Sequence, residues 1–424
     1  MSNNNPIVLI EDGITFSPFY FYTVFLEKMI SCFDDSKDKK PIISYKLTAD
    51  NDPVMGRYRI DPISIPLLLS LTQQLKRNQN AAIKLELSNY PANLKLLEFL
   101  YRSDFFYVAG QNKNPLFPMG KDLMSFDERF IGGFSNGSIR PEHKIRCYSR
   151  NDLPSFLQAI LFHDSSNDDE NDKMSADAKR DYFVEHYNFK VGEHFEILLQ
   201  ESTSEFASLY VDILSELIAN GIIHSGTDVF ALMFSDKYSI KFSISDNGMG
   251  LFNSLDKKDN SEYNEYYKKF ELYEKLFDKT GWTKNTLTNS LVSIFEALFY
   301  SMTKKRLGLF DLMVNVVNHF SGYFRLHNEC SQIIFSPRLG KELESLEEIR
   351  NKIRKLYFEK EFKQNEETKF DVEIKQLISE GELLLLELFQ NTLKKYSDDV
   401  KFSAIRTFNV RFKGVHIEVE IPKQ

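Results

Sequence analysis

The most informative part of the sequence is Glu216-Leu-Ile-Ala-Asn220-Gly-Ile-Ile-His224. Its three polar residues are four positions apart, so on a helix they share one edge beside an apolar stripe. The capping-box pattern Ser202-Thr-Ser-Glu205 predicts the start of this helix, which runs toward Gly226. Taken alone, the polar spacing also fits an ordinary exposed edge. The apolar stripe is predicted from Phe206, Leu209, Ile213 and Leu217.

A β-hairpin is predicted directly after this helix. Residues 229–234 form its first strand, Asp236-Lys237 its turn and residues 238–245 its second strand. The second strand ends in Asp246-Asn-Gly248-Met-Gly250, a carboxylate followed by two glycines that admit a flat ligand. This arrangement suits recognition of an exocyclic amine such as that of adenine, although Asp-Asn-Gly is also an ordinary turn. Strict alternation predicts one buried side, made of Tyr238, Ile240, Phe242 and Ile244.

A basic, glycine-containing helix start lies further along the chain. Residues 301–310 read Ser-Met-Thr303-Lys304-Lys305-Arg306-Leu-Gly308-Leu309-Phe, and the apolar helix that follows is predicted to end at Ser321-Gly322. Hydroxyls, cations and a glycine at a helix N-terminus favour an anion such as phosphate, because backbone N–H groups and the helix dipole point at it. For Lys304 and Lys305 individually, a solvated surface position fits as well.

These three elements, in this order, resemble the GHKL superfamily of ATP-binding domains, which includes histidine kinases, anti-sigma-factor serine kinases, DNA gyrase, MutL and heat-shock chaperones. Residues 216–224 resemble the N box in the form found in the anti-sigma-factor kinases. Residues 246–250 match the Asp-x-Gly-x-Gly box, and residues 306–309 match the later glycine box. Residues 321–326 and 414–422 resemble the strands that follow, so the likeness covers about residues 195–340 and 403–422.

The resemblance implies an α/β (α+β) fold with a Bergerat-type sandwich, in which helices cover one face of a mixed sheet. This ATP-binding domain would span residues 175–424, with a helical lid insertion at 252–303 and a helical insertion at 341–400. In the lid, helices are predicted from Glu262 to Phe277 and from Leu287 to Phe299. In the second insertion, residues 383–389 are predicted to be buried. Leu346, Ile349, Ile353 and Leu356 follow heptad spacing there, but two heptads are too few for a coiled coil, so packing onto the parent domain is favoured.

The resemblance also implies a role for each site residue. Asn220 would bind the Mg²⁺ that bridges the nucleotide phosphates, and Glu216 would act as the general base. Asp246 would read the adenine amine, with Gly248 and Gly250 beside the base. The residues expected to hold the phosphates are Thr303, Lys304, Arg306, Gly308 and Leu309.

Two of the expected site residues have more than one explanation. Many family members have glycine where Arg306 stands, so the arginine either stiffens the lid or supplies a cation for the terminal phosphate, and it leaves catalytic turnover open. His224 belongs to the N-box pattern as a nucleotide contact, but a histidine whose hydrogen bonds are satisfied at a helix end explains it equally well.

A smaller unit is predicted in the amino-terminal part. Residues 1–40 form a leading segment, and residues 41–165 form a βαβ domain with a long loop at 110–140. This domain resembles the STAS fold of anti-sigma-factor antagonists, and a generic βαβ unit fits as well. The acidic stretch from Asp164 to Asp172 predicts the boundary. Within the unit, helices are predicted after Asp61-Pro62 and from Pro91, and strands over Ala81–Leu87 and Phe105–Val108.

Composition excludes several classes of protein. The 53 Lys and Arg against 61 Asp and Glu in 424 residues give a net charge of −8, so no global attraction draws the chain to nucleic acid or anionic lipid. No apolar run approaches the ~18 residues of a membrane span. Cys32, Cys147 and Cys330 lie too far apart for a disulfide framework or a zinc site, which indicates a cytoplasmic, reducing compartment.

The sequence therefore predicts a cytoplasmic protein whose cofactors are ATP and Mg²⁺. It would hydrolyse ATP or transfer the γ-phosphate to a protein in signalling or regulation. The alternative is an ATP-gated switch or interaction module, for example in a regulatory or antiphage defence system, with little or no turnover. A third hypothesis is a degenerate domain that binds no nucleotide. The expected partners are a nucleotide and an unidentified protein, with no membrane and no indication of nucleic acid, and a homodimer is left open.

Overall fold

The residues that the structure describes fold into two β-sheets with helices, an α+β arrangement that confirms the predicted fold class. The computed structural model describes residues 7–9, 15–34, 42–46, 60–86, 94–114, 118–127, 143–162, 176–196, 207–257, 266–363, 367–396 and 403–423. The capping box predicted at 202–205 and the acidic boundary predicted at 164–172 lie outside these residues.

The helices carry most of the chain between the strands. Short π-helical segments, Phe21–Phe25, Gly192–Glu196 and Asn315–His319, continue the helices that end at Tyr20, Val191 and Val314 respectively. The α-helices are α1 (Pro18–Tyr20), α2 (Leu26–Asp34), α3 (Ile65–Gln79), α4 (Leu94–Arg102), α5 (Phe105–Ala109), α6 (Ser155–Phe162), α7 (Ala176–Val191), α8 (Ala207–Ser225), α9 (Gly250–Asp256), α10 (Glu271–Thr280), α11 (Thr286–Thr303), α12 (Leu309–Val314), α13 (Gly340–Phe362) and α14 (Glu367–Tyr396).

The smaller sheet is parallel, as the βαβ pattern predicts. Its strands are β1 (Ile7–Leu9), β2 (Ile42–Lys46) and β3 (Ala82–Glu86), in the order β1-β2-β3, with Ile42 opposite Ala82. Helix α3 precedes β3 and ends at Asn80, whose left-handed φ of 49° is tolerated by asparagine. The four leucines predicted to share one face of α3 are all buried: Leu67, Leu68, Leu71 and Leu75.

The larger sheet has the strand order β4-β5-β6-β10-β7-β8-β9. Each pairing among its described strands is antiparallel, so the expectation of a mixed sheet is wrong for this part of the molecule. The last strand of the chain inserts between β6 and β7 at the centre of the sheet. The strands are β4 (His143–Tyr148), β5 (Val229–Ser235), β6 (Ser239–Asp246), β7 (Tyr323–Asn328), β8 (Ser331–Phe335), β9 (Ile405–Thr407) and β10 (Val415–Pro422).

Both faces of the larger sheet are covered, whereas the resemblance implies helices on one face only. Alternate residues of β5 belong to different cores, because successive strand side chains point to opposite faces. Ala231 and Met233 pack in the core with α8 and α11, and Phe230 and Leu232 pack in the core with the amino-terminal unit. Strand β4 pairs with β5 in the larger sheet, although the sequence assigns residues 143–148 to the smaller unit.

Three local predictions differ from the structure. The apolar run Phe105–Val108 lies in helix α5 rather than in a strand, because an apolar run this short fits either element and its residues are buried as a helix. Tyr238 is 68% exposed because β6 begins only at Ser239. Of the first predicted lid helix, residues 266–270 are not helical and the helix begins at Glu271, after Phe270 with its left-handed φ of 63°, while Glu262 lies outside the described residues.

The helical insertion packs onto the parent domain, which confirms the prediction made from its heptad spacing. Leu346, Ile349 and Ile353 of α13 are buried in the core of the larger sheet's helical face. Leu383 on α14 is 62% exposed, so the apolar run at 383–389 is buried only in part. Among the described helices, none has the length and hydropathy that a membrane span requires.

Candidate functional site

The candidate site is a cleft between the larger sheet and helices α8, α9 and α11. Its empty space, which includes the solvent at its open mouth, is about 920 Å³. Apart from Asp246 at the end of β6, the sheet side of the cleft is apolar and is formed by Ile244, Leu326, Val415 and Ile417. Polar groups therefore stand out among the lining residues.

Most of the residues predicted from the sequence for the site line this one cleft. The polar edge of α8 contributes Glu216, Asn220 and His224, which a spacing of four residues places on one helix face. Glu216 is 5% exposed, so its carboxyl is removed from bulk water. The other predicted residues in the lining are Asp246, Gly250, Lys304, Gly308 and Leu309.

One end of the cleft, here called the Asp246 end, consists of residues 246–250. The Asp246 carboxyl is buried, and its Oδ1 accepts a hydrogen bond of 2.8 Å from the backbone N–H of Gly248. Burial raises the pKa of Asp246 to about 7, while hydrogen bonds from the backbone N–H groups of Gly248 and Val415 lower it in part. This carboxyl therefore changes its charge near neutral pH.

The amino-terminal unit holds the Asp246 end from the opposite face of the sheet. Asn247 Nδ2 donates to the carbonyl of Ser70 at 2.7 Å and to Gln73 Oε1 at 3.0 Å, and both partners lie on α3. Gln73 Nε2 in turn donates to Asp228 Oδ2 at 2.7 Å. The sequence reasoning missed Ser70 and Gln73, because no local pattern links residues that lie this far apart in the chain.

The two glycines of the Asp246 end meet different requirements. Gly250 has a φ of +77°, a left-handed conformation that favours glycine, and it begins α9. A Cβ atom on Gly248 would lie 2.1 Å from the Cβ of Ser225, so Gly248 permits close packing against the end of α8. Gly248 is not among the lining residues, and its predicted place beside a base stays a prediction.

The other end of the cleft, here called the Gly308 end, consists of residues 301–311. A Cβ atom on Gly308 would lie 2.8 Å from Ser301 Oγ and 4.0 Å from Glu216 Oε1, so Gly308 faces Glu216. The backbone N–H of Gly308 donates to Asp311 Oδ2 at 3.0 Å. Lys304 Nζ lies 4.4 Å from the centre of the Tyr300 ring. Lys304 and the carboxyl of Glu216 thus line this end of the cleft together.

The two ends of the cleft lie beside different positions along the axis of α8. Gly248 packs against Ser225, while Gly308 faces Glu216. These helix positions are nine residues apart (225 − 216 = 9), which at 1.5 Å per residue is about 13 Å. The cleft therefore offers an elongated ligand a carboxyl at one end and a mixed set of charges at the other.

Two predicted phosphate ligands lie outside the cleft lining. Thr303 is buried, its hydroxyl donates to the carbonyl of Tyr300 at 2.9 Å, and its own carbonyl accepts from Tyr357 Oη at 2.9 Å. Arg306 forms an ion pair with Asp181 of α7. The neighbouring Lys305 pairs with Glu361 of α13. These side chains tie the Gly308 end to surrounding helices.

The sequence reasoning missed Arg350 of α13. Its side chain is only 1% exposed and hydrogen-bonds to residues of the Gly308 end. A signal was available in the sequence, because Arg350 directly follows the buried Ile349 within the apolar pattern of α13. A buried arginine requires acceptors for its guanidinium, so it marks a specific polar contact.

Metal binding by the protein alone is not indicated in the described part of the chain, where no group of three His, Cys, Asp or Glu side chains could hold an ion. A nucleotide-borne Mg²⁺ takes most of its ligands from phosphate and water. Asn220 lies on the cleft wall, and its amide oxygen is the type of ligand that such a hard cation accepts.

Comparison of the chain with protein-family models, curated proteins and solved structures finds no match. The family resemblance of the three motifs therefore stays a prediction. What supports a function is the arrangement of side chains around the cleft, and in particular the buried carboxyl of Asp246 and the charged groups at the Gly308 end.

Proposed function

We propose that this protein binds Mg-ATP in the cleft and hydrolyses it or transfers its γ-phosphate to a protein. One observation carries the proposal: a buried carboxyl, Asp246, and a wall bearing Glu216 and Asn220 line a single elongated cleft. Signalling or regulation in the cytoplasm, with a protein partner, belongs to the same proposal.

At the Asp246 end, the proposed ligand group is the adenine amine. An ionised carboxyl only accepts hydrogen bonds, so it complements an exocyclic amine and opposes a carbonyl at the same position. The surrounding apolar side chains, among them Ile244 and Met249, exclude water and strengthen the discrimination. The raised pKa of Asp246 reflects the cost of ionising a buried carboxyl, which the hydrogen bonds from backbone N–H groups offset only in part.

At the Gly308 end, the proposed ligand is the triphosphate. Lys304 offsets part of its charge, and Asn220 approaches the Mg²⁺ through its amide oxygen. Glu216 would accept the proton of the attacking water or hydroxyl while the oxygen forms its bond to the γ-phosphorus and ADP leaves. The closeness of Glu216 Oε1 to Gly308 supports this role, because the base and the phosphate-binding loop then share one space.

Calorimetric titration with Mg-ATP tests the binding step. We expect Asp246→Asn to weaken binding by about tenfold or more, because an amide has one acceptor oxygen for two backbone N–H donors and presents its own N–H to the amine. The matched control is Asp278→Asn, the same change at an exposed position of α10. Equal affinities in wild type and Asp246→Asn, or no binding by wild type, would overturn the proposal.

Release of phosphate and labelling of protein from γ-labelled ATP test the reaction. We expect Glu216→Gln to lower turnover by about 100-fold or more while ATP affinity changes little, because the amide keeps the shape of the side chain but cannot take a proton. Absence of both products from wild type that binds ATP would exclude the enzyme hypothesis.

A second candidate is an ATP-gated interaction module. The ion pairs from Arg306 to Asp181 and from Lys305 to Glu361 favour it, because they connect the Gly308 end to α7 and α13. Nucleotide binding at that end would then alter the surface that these helices present. Scattering and partner-affinity measurements with and without ATP test this candidate, and no change in either would count against it.

A further inference from the structure

Arg350 makes contacts that fully engage its side chain. Its Nε and Nη2 donate to the two carboxylate oxygens of Asp311, each at 3.0 Å. Its Nη1 donates to the carbonyls of Met302, at 3.0 Å, and Lys304, and Nη2 also donates to the carbonyl of Arg306 at 2.5 Å. A guanidinium has five N–H donors, and all five have acceptors here. The buried charge is therefore both neutralised and hydrogen-bonded.

These contacts concentrate on one stretch of backbone. Three alternate carbonyls, those of residues 302, 304 and 306, converge on a single guanidinium. Because the C=O and N–H of one trans peptide point in opposite directions, the N–H groups of Lys305 and Leu307 point away from Arg350. The conformation of the loop between α11 and α12 thus depends on a residue from the helical insertion.

The same guanidinium also acts on Gly308 through Asp311. Asp311 Oδ2 accepts from both Arg350 Nη2 and the backbone N–H of Gly308, each at 3.0 Å. The relay Arg350–Asp311–Gly308 fixes the glycine that faces Glu216 across the cleft. Tyr357, two turns further along α13, hydrogen-bonds to the carbonyl of Thr303, so the helix holds the loop at a further point.

We propose that Arg350 is a positioning residue for the phosphate-binding end of the cleft. Arg350 fixes residues 302–306 directly and fixes Gly308 through Asp311. It thereby keeps Lys304 and Gly308 in the geometry that receives the phosphates. The helical insertion is then a part of the nucleotide site that does not touch the nucleotide. This inference rests on the proposed function, and it adds a residue that the three motifs do not contain.

A planar guanidinium group, with its five N–H donors, is required at this position. Lysine carries the same charge but cannot bind a carboxylate in a bidentate manner while reaching three separate carbonyls. Arg350→Lys should therefore fold, because the charge opposite Asp311 is kept, and should still leave the loop poorly held. The second variant, Arg350→Met combined with Asp311→Asn, removes both buried charges. It keeps the test valid if water molecules complete the hydrogen bonds that the lysine cannot make.

Affinities for Mg-ATP, Mg-ADP and AMP, measured by calorimetry, test the proposal. We expect Arg350→Lys and the double variant to weaken ATP binding by about 10- to 100-fold, ADP less, and AMP least, because only the phosphate-binding end is disturbed. A residue that serves stability alone would not produce this order. The matched control is Arg354→Met, an exposed position one turn along the same helix, which should bind all three nucleotides as wild type does.

The outcomes separate this inference from the proposed function. A loss of affinity that grows with the number of phosphates in the nucleotide supports the inference. Equal loss for all three nucleotides, or affinities unchanged in both variants, overturns it while ATP binding by wild type still stands. Failure of wild type to bind any of the three nucleotides overturns the proposed function, and the inference falls with it.

Discussion

The two ends of the cleft are held in different ways. The Asp246 end is fixed through Asn247 by neutral hydrogen bonds to Ser70 and Gln73 of the amino-terminal unit. The Gly308 end is fixed by a buried ion pair, Arg350 with Asp311, from the helical insertion. Breaking one partner of a buried ion pair leaves an uncompensated charge, which costs more than an unpaired neutral group. The Gly308 end should therefore be the more sensitive to a single substitution.

The largest effect is expected from Arg350→Met. It leaves the Asp311 carboxylate buried without its cation and should lower the free energy of unfolding by about 3–5 kcal/mol, measured by urea denaturation. Adding Asp311→Asn should recover a large part of that loss, because the unpaired charge is removed. If the double variant is no more stable than Arg350→Met, the charge pair is not what makes this end sensitive.

A smaller effect is expected at the other end. Asn247→Ala leaves the carbonyl of Ser70 and the amide of Gln73 without their buried partner, so the free energy of unfolding should fall by about 1–3 kcal/mol. The control is Asn253→Ala, because this exposed asparagine of α9 donates to the carbonyl of Met249, the residue before the helix. A loss at Asn247 as large as that at Arg350 would remove the distinction between the two ends.

The Asp246 end should respond to pH. The pKa of Asp246 is raised to about 7, so in the absence of ligand the folded protein binds this proton more tightly than the unfolded chain does. The free energy of unfolding therefore falls as pH rises from about 4 through 7. ATP binding needs the ionised form, so affinity in excess Mg²⁺ should rise about tenfold from pH 6 to pH 8. Calorimetry at several pH values measures this. A flat profile in wild type would contradict the role of Asp246.

The smallest effect is expected from Lys305→Met at the Gly308 end. Lys305 pairs with Glu361 of α13, but both side chains are about half exposed. Exposed ion pairs contribute little, so unfolding free energy should change by less than about 1 kcal/mol. Thermal denaturation of Lys305→Met and Arg350→Met in parallel compares an exposed with a buried ion pair at the same end of the cleft. A change of similar size for both would show that burial does not govern the contribution.

The local patterns of the sequence predicted much of the fold. Helix α8, the hairpin β5–β6, helix α12 and the strands β7 and β10 each carry their own periodicity, and the structure contains all of them. The polar edge of α8 predicted that Glu216, Asn220 and His224 share a face, and they line one cleft together. Short-range spacing is sufficient for such features, because the helix repeat alone decides which side chains are neighbours.

Long-range contacts could not be predicted in this way. The packing of α3 behind the Asp246 end joins residues about 175 positions apart, as in the hydrogen bond from Asn247 to Ser70. The carbonyl of Thr303 accepts a hydrogen bond from Tyr357 of α13, and the side chain of Arg306 pairs with Asp181 of α7, two helices that no motif contains. The helix at Phe105–Ala109 was predicted as a strand, because burial of a short apolar run fits both.

The central claim is that Asp246 reads an exocyclic amine in this cleft. Calorimetric titration of the unaltered protein at pH 8 with Mg-ATP and with the magnesium complex of inosine triphosphate tests it most directly, since the two ligands differ at the group that Asp246 would contact. We expect ATP to bind and the inosine nucleotide to bind about tenfold or more weakly, because its carbonyl faces a carboxylate. Equal affinities, or no binding of ATP, would contradict this role of Asp246.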